Sequence, residues 1–471
     1  MADFDQQSAA FKQWFTSIPG AEIHPSVAFK DLRGKDAGRG LVASVDIPAE
    51  TALFTIPRAA IMSVATSSLV ERLPELFAGE EDTEMGDEDD ETESNSPDPW
   101  SSLILVIIFE HLRGAASPWA QYFTMMPSQF DTPMFWSSAE LQELQASPLV
   151  SRIGKEEAEE MFRRKIVPTI QGHKDIFYPP GTLELSEQQI IELAHRVGST
   201  IMAYAFDLEN DENEDESMEE DGWVVDSDGL TMLGMVPMAD MMNADAEFNV
   251  GFCSSAHVNH GEDALTVFSL RPIAAGEEIL NYYGPHPNSE LLRKYGYVSE
   301  RHSRYDVVEV PFSMVRKQVQ AYLELSDQFW EKAENFLDED EVGESIVLER
   351  NSGDPGPDGL FQCPATVENT LDELANQVNL VLKALRKVSS SVVPDKRKRE
   401  EICNGVMLRI LTGCLAMYPT TLAQDRALLA DKSVTGRLRM AVFVRAGEKQ
   451  LLEDILAGYG WSSETPGKSA N

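Results

Sequence analysis

The sequence predicts an α+β fold, with small sheets interrupted by a helical insertion and followed by an all-helical domain. Three observations predict it. Short segments rich in β-branched and aromatic residues, punctuated by Gly and Pro, occupy two separate stretches of the first 300 or so residues. Apolar residues at helical spacing fill the region between those stretches. After about residue 310 the strand signals stop and helical spacing alone continues.

Gly40–Val45 and Ala52–Ile56 read as the first strands. Trp100–Arg113 (WSSLILVIIFEHLR) is apolar nearly all round, which marks a buried helix. Ser138–Leu149, Lys155–Ile170 and Ser186–Phe206 continue the helical insertion. Phe248–Phe252, Ala264–Leu270 and Glu278–Tyr282 return to strand. Pro311–Leu337, Val367–Val393, Glu400–Tyr418 and Val434–Leu456 then carry a 3.6-residue apolar period, with Asn351–Asp358 (NSGDPGPD) as a loop. No repeat of solenoid period is present. The expected division is residues 20–300, with the helical insertion at 98–206, and residues 305–460.

The chain has 471 residues, enough for two or three domains, and its 42% hydrophobic and 25% charged residues are an ordinary globular composition. The net charge of −40 argues against direct nucleic-acid binding, which needs a basic face, and suits a basic partner. Two runs concentrate the acid: Glu80–Glu93 holds ten carboxylates and Glu209–Asp221 nine. They read as solvated linker insertions or as an attractor for a basic substrate. Cys253, Cys363, Cys403 and Cys414 are scattered, so neither a disulfide framework nor a structural zinc site is expected. The first residues lack the layout of a signal peptide, and the apolar run Leu103–Phe109 is far too short for a membrane span. An intracellular protein without membrane contact is expected. Lys396–Arg399 (KRKR) is either a nuclear import signal or a solvated inter-helix loop.

Three clusters carry candidate chemistry. Ala37–Ile47 (AGRGLVASVDI) is a Gly-rich turn leading into a strand; such a turn permits close backbone approach to a ligand, and is often only a turn. It lacks the spacing of a phosphate loop. Met235–Phe252 (MVPMADMMNADAEFNVGF) places Asn243 in a polar loop after an apolar stretch, either as a turn former or as a ligand contact. Gly276–Val298 (GEEILNYYGPHPNSELLRKYGYV) holds Tyr283-Gly284 and, twelve residues on, Tyr295-Gly296-Tyr297, which are core aromatics or walls of a site.

Taken in order, these clusters resemble the SET-domain pattern of protein-lysine methyltransferases. The absence of Cys-rich flanks, the helical insertion and the helical last third resemble the Rubisco large-subunit methyltransferase-like branch, as do Thr420–Ala430 (TTLAQDRALLA) and Ala441–Leu456 (AVFVRAGEKQLLEDIL). Met202–Asp207 (MAYAFD) and Asp240–Asp245 (DMMNAD) resemble its fungal ribosomal lysine N-methyltransferase 4 group. Much of the wider branch has S-R-x-F where this chain has Ala203-Tyr204-Ala205-Phe206, and Asn-His where it has Asn243-Ala244.

The resemblance implies an S-adenosylmethionine-dependent protein-lysine N-methyltransferase with a core of small twisted sheets and a C-terminal substrate-binding domain. The sulfonium is its own electrophile, so no metal is implied. Tyr283 would be the catalytic tyrosine, orienting the amine and touching the transferring methyl through a weak C–H···O contact. Ala37, Gly38, Arg39, Tyr204, Asn243, Ala244, Tyr295 and Tyr297 would hold the cofactor. Trp100, Ala205, Asp207 and Phe252 would face the substrate, with Trp100 alternatively an ordinary helix-start aromatic and Phe252 standing where relatives often have a third tyrosine. The implied substrate is a basic, non-histone protein, best a large-subunit ribosomal protein, met by a monomeric enzyme in the nucleus, with the cytoplasm as the other compartment. The rival from another class is a catalytically silent SET-type adaptor; an acidic chaperone rests on the acidic runs alone.

Overall fold

The computed structural model describes residues 2–35, 38–77, 98–208, 233–255, 264–337 and 342–460. Ala37 and both acidic runs lie outside the described residues. The chain forms two units, the first from residues 1–130, 154–282 and 357–360, the second from 131–153, 283–356 and 361–471.

The first unit opens with a helix, α1 (Ala2–Ser17). Phe11 and Phe15, one turn apart, are fully buried and anchor it. The strands follow in chain order: β1 (Glu22–Ile23), β2 (Val27–Asp31), β3 (Arg39–Ala43), β4 (Ala52–Pro57), β5 (Met62–Ser63), β6 (Ala205–Asp207), β7 (Leu233–Met235), β8 (Asn243–Ala244), β9 (Val250–Ser255), β10 (Ala264–Ser269) and β11 (Glu278–Asn281). They make three small sheets, ordered β1-β4-β10-β9, β2-β3-β11-β8 and β5-β7-β6. Val250, Val267, Phe54 and Leu41 alternate inward and are buried. The helical insertion lies between β5 and β6. Its helix Pro99–Leu112 is capped by Asp98, which accepts from the Ser101 backbone N–H at 2.8 Å, and it is buried from Ser101 to Glu110. Glu110 in that buried face accepts from Ser67, Arg113 and Ser117, so its charge is satisfied. Helix Glu187–Tyr204 starts on a Ser186/Gln189 capping box and runs directly into β6.

The second unit is built on helices Phe312–Leu323, Asp327–Glu334, Asp372–Val388, Lys396–Met417, Leu422–Ala430 and Gly436–Gly458. Their apolar faces meet around Trp330, Val378, Val406 and Leu452. It is not all-helical: β12 (Val308–Pro311) pairs antiparallel with β13 (Ser345–Leu348), whose β-branched Ile346 and Val347 alternate between buried and exposed. The boundary expected near residue 300 follows the chain, whereas the units follow packing. Trp136, Leu144 and Leu149 from residues 131–153 pack with Leu292, Ala441 and Val444. The basic run Lys396–Arg399 is neither loop nor linker; it is the first turn of a helix capped by Asp395, whose carboxylate accepts from the Lys398 N–H at 2.8 Å.

Candidate active site

In the first unit the chain turns through Gly38, at φ +64, before entering β3. That left-handed conformation is one L side chains rarely adopt. Gly40, two residues on, has a different role. A Cβ there would lie 2.6 Å from Leu32 Cδ1, 2.8 Å from Asn243 Nδ2 and 2.8 Å from Glu278 Oε1. The missing side chain therefore admits the protein's own Asn243. β8 runs parallel to β11, aligning Asn243 with Leu280, and Asn243 Nδ2 donates to Glu278 Oε1 at 2.7 Å. The Gly-rich turn and the Asn loop, about 200 residues apart in sequence, thus lock together through one carboxylate.

Beside them lies a cavity of about 350 Å³, in the size range of small-molecule sites. Gly38, Arg39, Tyr204 and Asn243 all line it, as do Asp240 and Met241 of the D-x-x-N turn. Burial drives the Asp240 carboxyl up to about 8, so it is mostly protonated at neutral pH. Tyr122 Oη donates to its Oδ2, while its Oδ1 has no partner among the described residues. Burial likewise pushes the Tyr204 hydroxyl up to about 12, with Asp240 adding to the shift. Both groups are neutral at pH 7, and a polar ligand in the cavity would complete the hydrogen bonding of Asp240.

Ala244 pairs with Asn281 and does not line the cavity. Ala205 and Asp207 lie on β6, opposite Met235 and Leu233. The residue between them, Phe206, makes the ring contact with Phe252, centroids 5.9 Å apart. Phe206 is not among the residues the motif singles out, although period-2 alternation sends it to the face opposite its neighbours. Trp100 packs over Gly198, beside Ile104 and Phe162, and does not line the cavity.

The second unit holds the tyrosine cluster. Tyr283 stacks on Tyr295, centroids 4.6 Å apart and 22° from parallel; Tyr297 stands 6.2 Å from Tyr295. Helix Asn288–Tyr295 carries the central ring, and Gly296 ends it at φ +76. Any side chain at 296 would meet the backbone of Asp131 and Thr132 at 3.1 Å, which accounts for the glycine between the two tyrosines. Burial raises the Tyr295 hydroxyl to about 12 and lowers His286, whose ring is 6.2 Å from Tyr295, to about 4. Tyr295 and His286 are thus neutral around pH 7, and the stacked ring faces suit a lysine stem and a cation.

The sequence reading missed α1 and Tyr122. Phe4 and Gln7 line the cavity, and Trp14 stacks on Tyr122 within 3° of parallel. The apolar spacing of Phe4, Phe11, Phe15 and Ile18 was the available signal for the helix. Tyr122 had none, since only the fold brings it to Asp240.

Comparison with known proteins adds five findings. The SET domain family matches residues 38–284, and the Rubisco LSMT substrate-binding family matches residues 360–452. Ribosomal lysine N-methyltransferase 4 of Saccharomyces cerevisiae is 30% identical over 434 residues, spanning 89% of this chain and 81% of the yeast protein. N-lysine methyltransferase SETD6 of Homo sapiens is 26% identical over 459 residues, spanning 92% of this chain and 86% of the human protein. The crystal structure of the SET domain of LSMT bound to lysine and AdoHcy has the same fold, with a TM-score of 0.61 at 20% identity over 97% of this chain and 91% of that one.

Proposed function

Because the chain belongs to the SET-domain family of S-adenosylmethionine-dependent protein-lysine methyltransferases, we propose that its substrate is a basic protein of the large ribosomal subunit. The observation that carries this is the 30% identity, across most of both chains, to a yeast enzyme named for ribosomal lysine methylation. Charge supports it. Glu349, Asp354 and Glu368 line a cleft of about 570 Å³ in the second unit, and none of them forms an ion pair among the described residues. Arg350 in the same cleft is neutralised by Asp454 at 2.7 Å.

The cavity beside Gly38 and Asn243 fits the methyl donor. It has the volume, a left-handed glycine turn, and in Asp240 Oδ1 a buried acceptor or donor awaiting a polar partner. Gly38, Arg39, Tyr204 and Asn243 would hold it; when bound, it supplies an electrophilic methyl on sulfur. The rest falls to the chain's own residues. A lysine amine has a pKa of about 10.4 in water and must be neutral to attack. Stacked Tyr283 and Tyr295, with His286 uncharged beside them, provide apolar walls that lower that value by desolvation. The Tyr283 hydroxyl orients the amine lone pair. Lys396, Arg397 and Lys398 stand exposed on their helical turn, which supports reading them as an import signal and the enzyme as nuclear.

The test is to incubate the full chain with methyl-labelled S-adenosylmethionine and dissociated large-subunit proteins, with core histones in a parallel reaction. Label should enter one ribosomal protein. Label on histones alone, or on no ribosomal protein, refutes the substrate.

A further inference from the structure

α1 lies outside the region matched by the SET family, which begins at residue 38, yet two of its side chains line the donor cavity. The helix is fixed at its far end. Phe11 and Phe15 are fully buried, and Trp14 Nε1 donates to the Pro118 carbonyl at 2.9 Å. Its first two turns are then committed to Arg39. The Arg39 guanidinium sits 4.3 Å over the Phe4 ring, donates to Gln7 Oε1 at 3.2 Å, and donates to Ser8 Oγ.

The Gln7 amide has only one way to face that guanidinium. Arg donates and never accepts, so the Gln7 oxygen must point to it. The amide NH₂ is thereby left with both hydrogens unpaired among the described residues, on a side chain that borders the cavity. We propose that α1 forms a wall of the donor pocket and that the Gln7 NH₂ donates a hydrogen bond to the bound S-adenosylmethionine. The partner is one of its acceptors: a ribose oxygen, a purine nitrogen or the carboxylate. Phe4 closes the same wall by covering Arg39. The inference rests on the reading of the cavity as the donor site.

Two roles are separable by one isosteric change. Gln7→Glu keeps an oxygen for Arg39 and adds an ion pair, so a helix that only props Arg39 loses nothing. The new negative charge also attracts the cationic sulfonium. A prop alone therefore predicts equal or tighter donor binding. Donation from Gln7 predicts the opposite, because both N–H groups are gone and a carboxylate faces the donor's acceptors. We expect the Kd for S-adenosylmethionine, by calorimetry on the full chain, to rise about five- to tenfold in Gln7→Glu, the loss of one hydrogen bond. Phe4→Ala should weaken binding similarly, and Phe4→Leu less. Melting temperatures of the variants should stay near wild type, since Phe11 and Phe15 hold the helix. Independently of any variant, hydrogen exchange of residues 4–10 in the wild-type protein should slow when the donor is added. A Gln7→Glu Kd within twofold of wild type, or unchanged exchange in that segment, overturns the proposal. Wild-type protein that binds no donor sinks the reading of the cavity itself.

Discussion

Tyr283 is one hydroxyl on a stacked pair of rings, and its chemistry is separable from its packing. Replacing it by Phe keeps the ring on Tyr295 and removes only the oxygen. A group that acts on the reacting amine and methyl is felt in the transition state more than in the ground state. Tyr283→Phe should therefore lower kcat by roughly 10²-fold while the donor Kd stays within about threefold. Single-turnover methylation and calorimetry measure the two separately. Unchanged turnover would remove Tyr283 from the mechanism; a collapsed donor affinity would make it a binding residue. The departures from the wider branch bear on the same scale. Ala244 lacks an imidazole and pairs through its backbone with Asn281. Tyr204 replaces an arginine of the branch pattern with a buried, neutral hydroxyl close to Asp240. The cavity therefore has less cationic character than the branch pattern implies, and Arg39, held by α1, supplies charge from the opposite end of the sequence.

Helix Gly436–Gly458 shows what a periodic reading captures and what it misses. Its apolar residues Leu451, Leu452, Ile455 and Leu456 are buried as their spacing predicts. The same helix also buries Arg445, Glu448 and Lys449, which the period assigns to solvent. Each is paired: Arg445 and Lys449 with Asp425, and Glu448 with Ser147 and Tyr418, which donate at 2.6 and 2.7 Å. Ser147 comes from a segment read as part of the insertion, so no local pattern announces it. β3, β4, β9, β10 and β11 were legible because their β-branched and aromatic runs were bounded by Gly and Pro, whereas the shorter β1, β5, β6, β7 and β8, and β2, β12 and β13, were not; the cavity's glycine and asparagine were legible as motifs. α1, Tyr122 and this buried network were not, because their value exists only in tertiary contacts. Burial pushes the Glu448 carboxyl up to about 8 from an ordinary 4.5. The folded state then binds its proton more tightly than the unfolded state does. Its contribution is full below about pH 4.5 and is lost as pH rises through about 8. Glu448→Gln is neutral throughout, so the fall in melting temperature from about pH 5 to about pH 9 should be smaller in the variant than in wild type. Asp240, also raised, remains in both proteins and cancels in the comparison, whereas Asp306 helps to raise Glu448 and its coupling is part of what the variant removes. Identical slopes would show that Glu448 is ionised in the folded protein.

At the scale of the whole molecule, charge acts before contact. The net charge is −40, and the two acidic runs supply nineteen of its carboxylates, leaving about −21 on the rest of the chain. A basic substrate is therefore drawn to the enzyme even without those runs. Such attraction raises the association rate and is screened beyond roughly 8 Å at physiological salt. It has little effect on a bound complex in which amine and methyl already meet. Two signatures separate it from local recognition. Raising salt from about 50 to about 300 mM should lower kcat/KM for the protein substrate several-fold and leave kcat nearly unchanged. The joint substitution Glu349→Gln, Asp354→Asn and Glu368→Gln should reproduce part of that loss at low salt and flatten the salt response, because it removes from one cleft of the second unit three carboxylates that form no ion pair among the described residues. Neutralising three exposed carboxylates of the first unit, Glu156, Glu157 and Glu160, changes net charge equally and serves as the control. If both triple variants behave alike, the attraction is global and the cleft has no special part. If neither changes and salt has no effect, recognition resides in the residues around the target lysine, and a short peptide containing that lysine should then match the intact protein in kcat/KM.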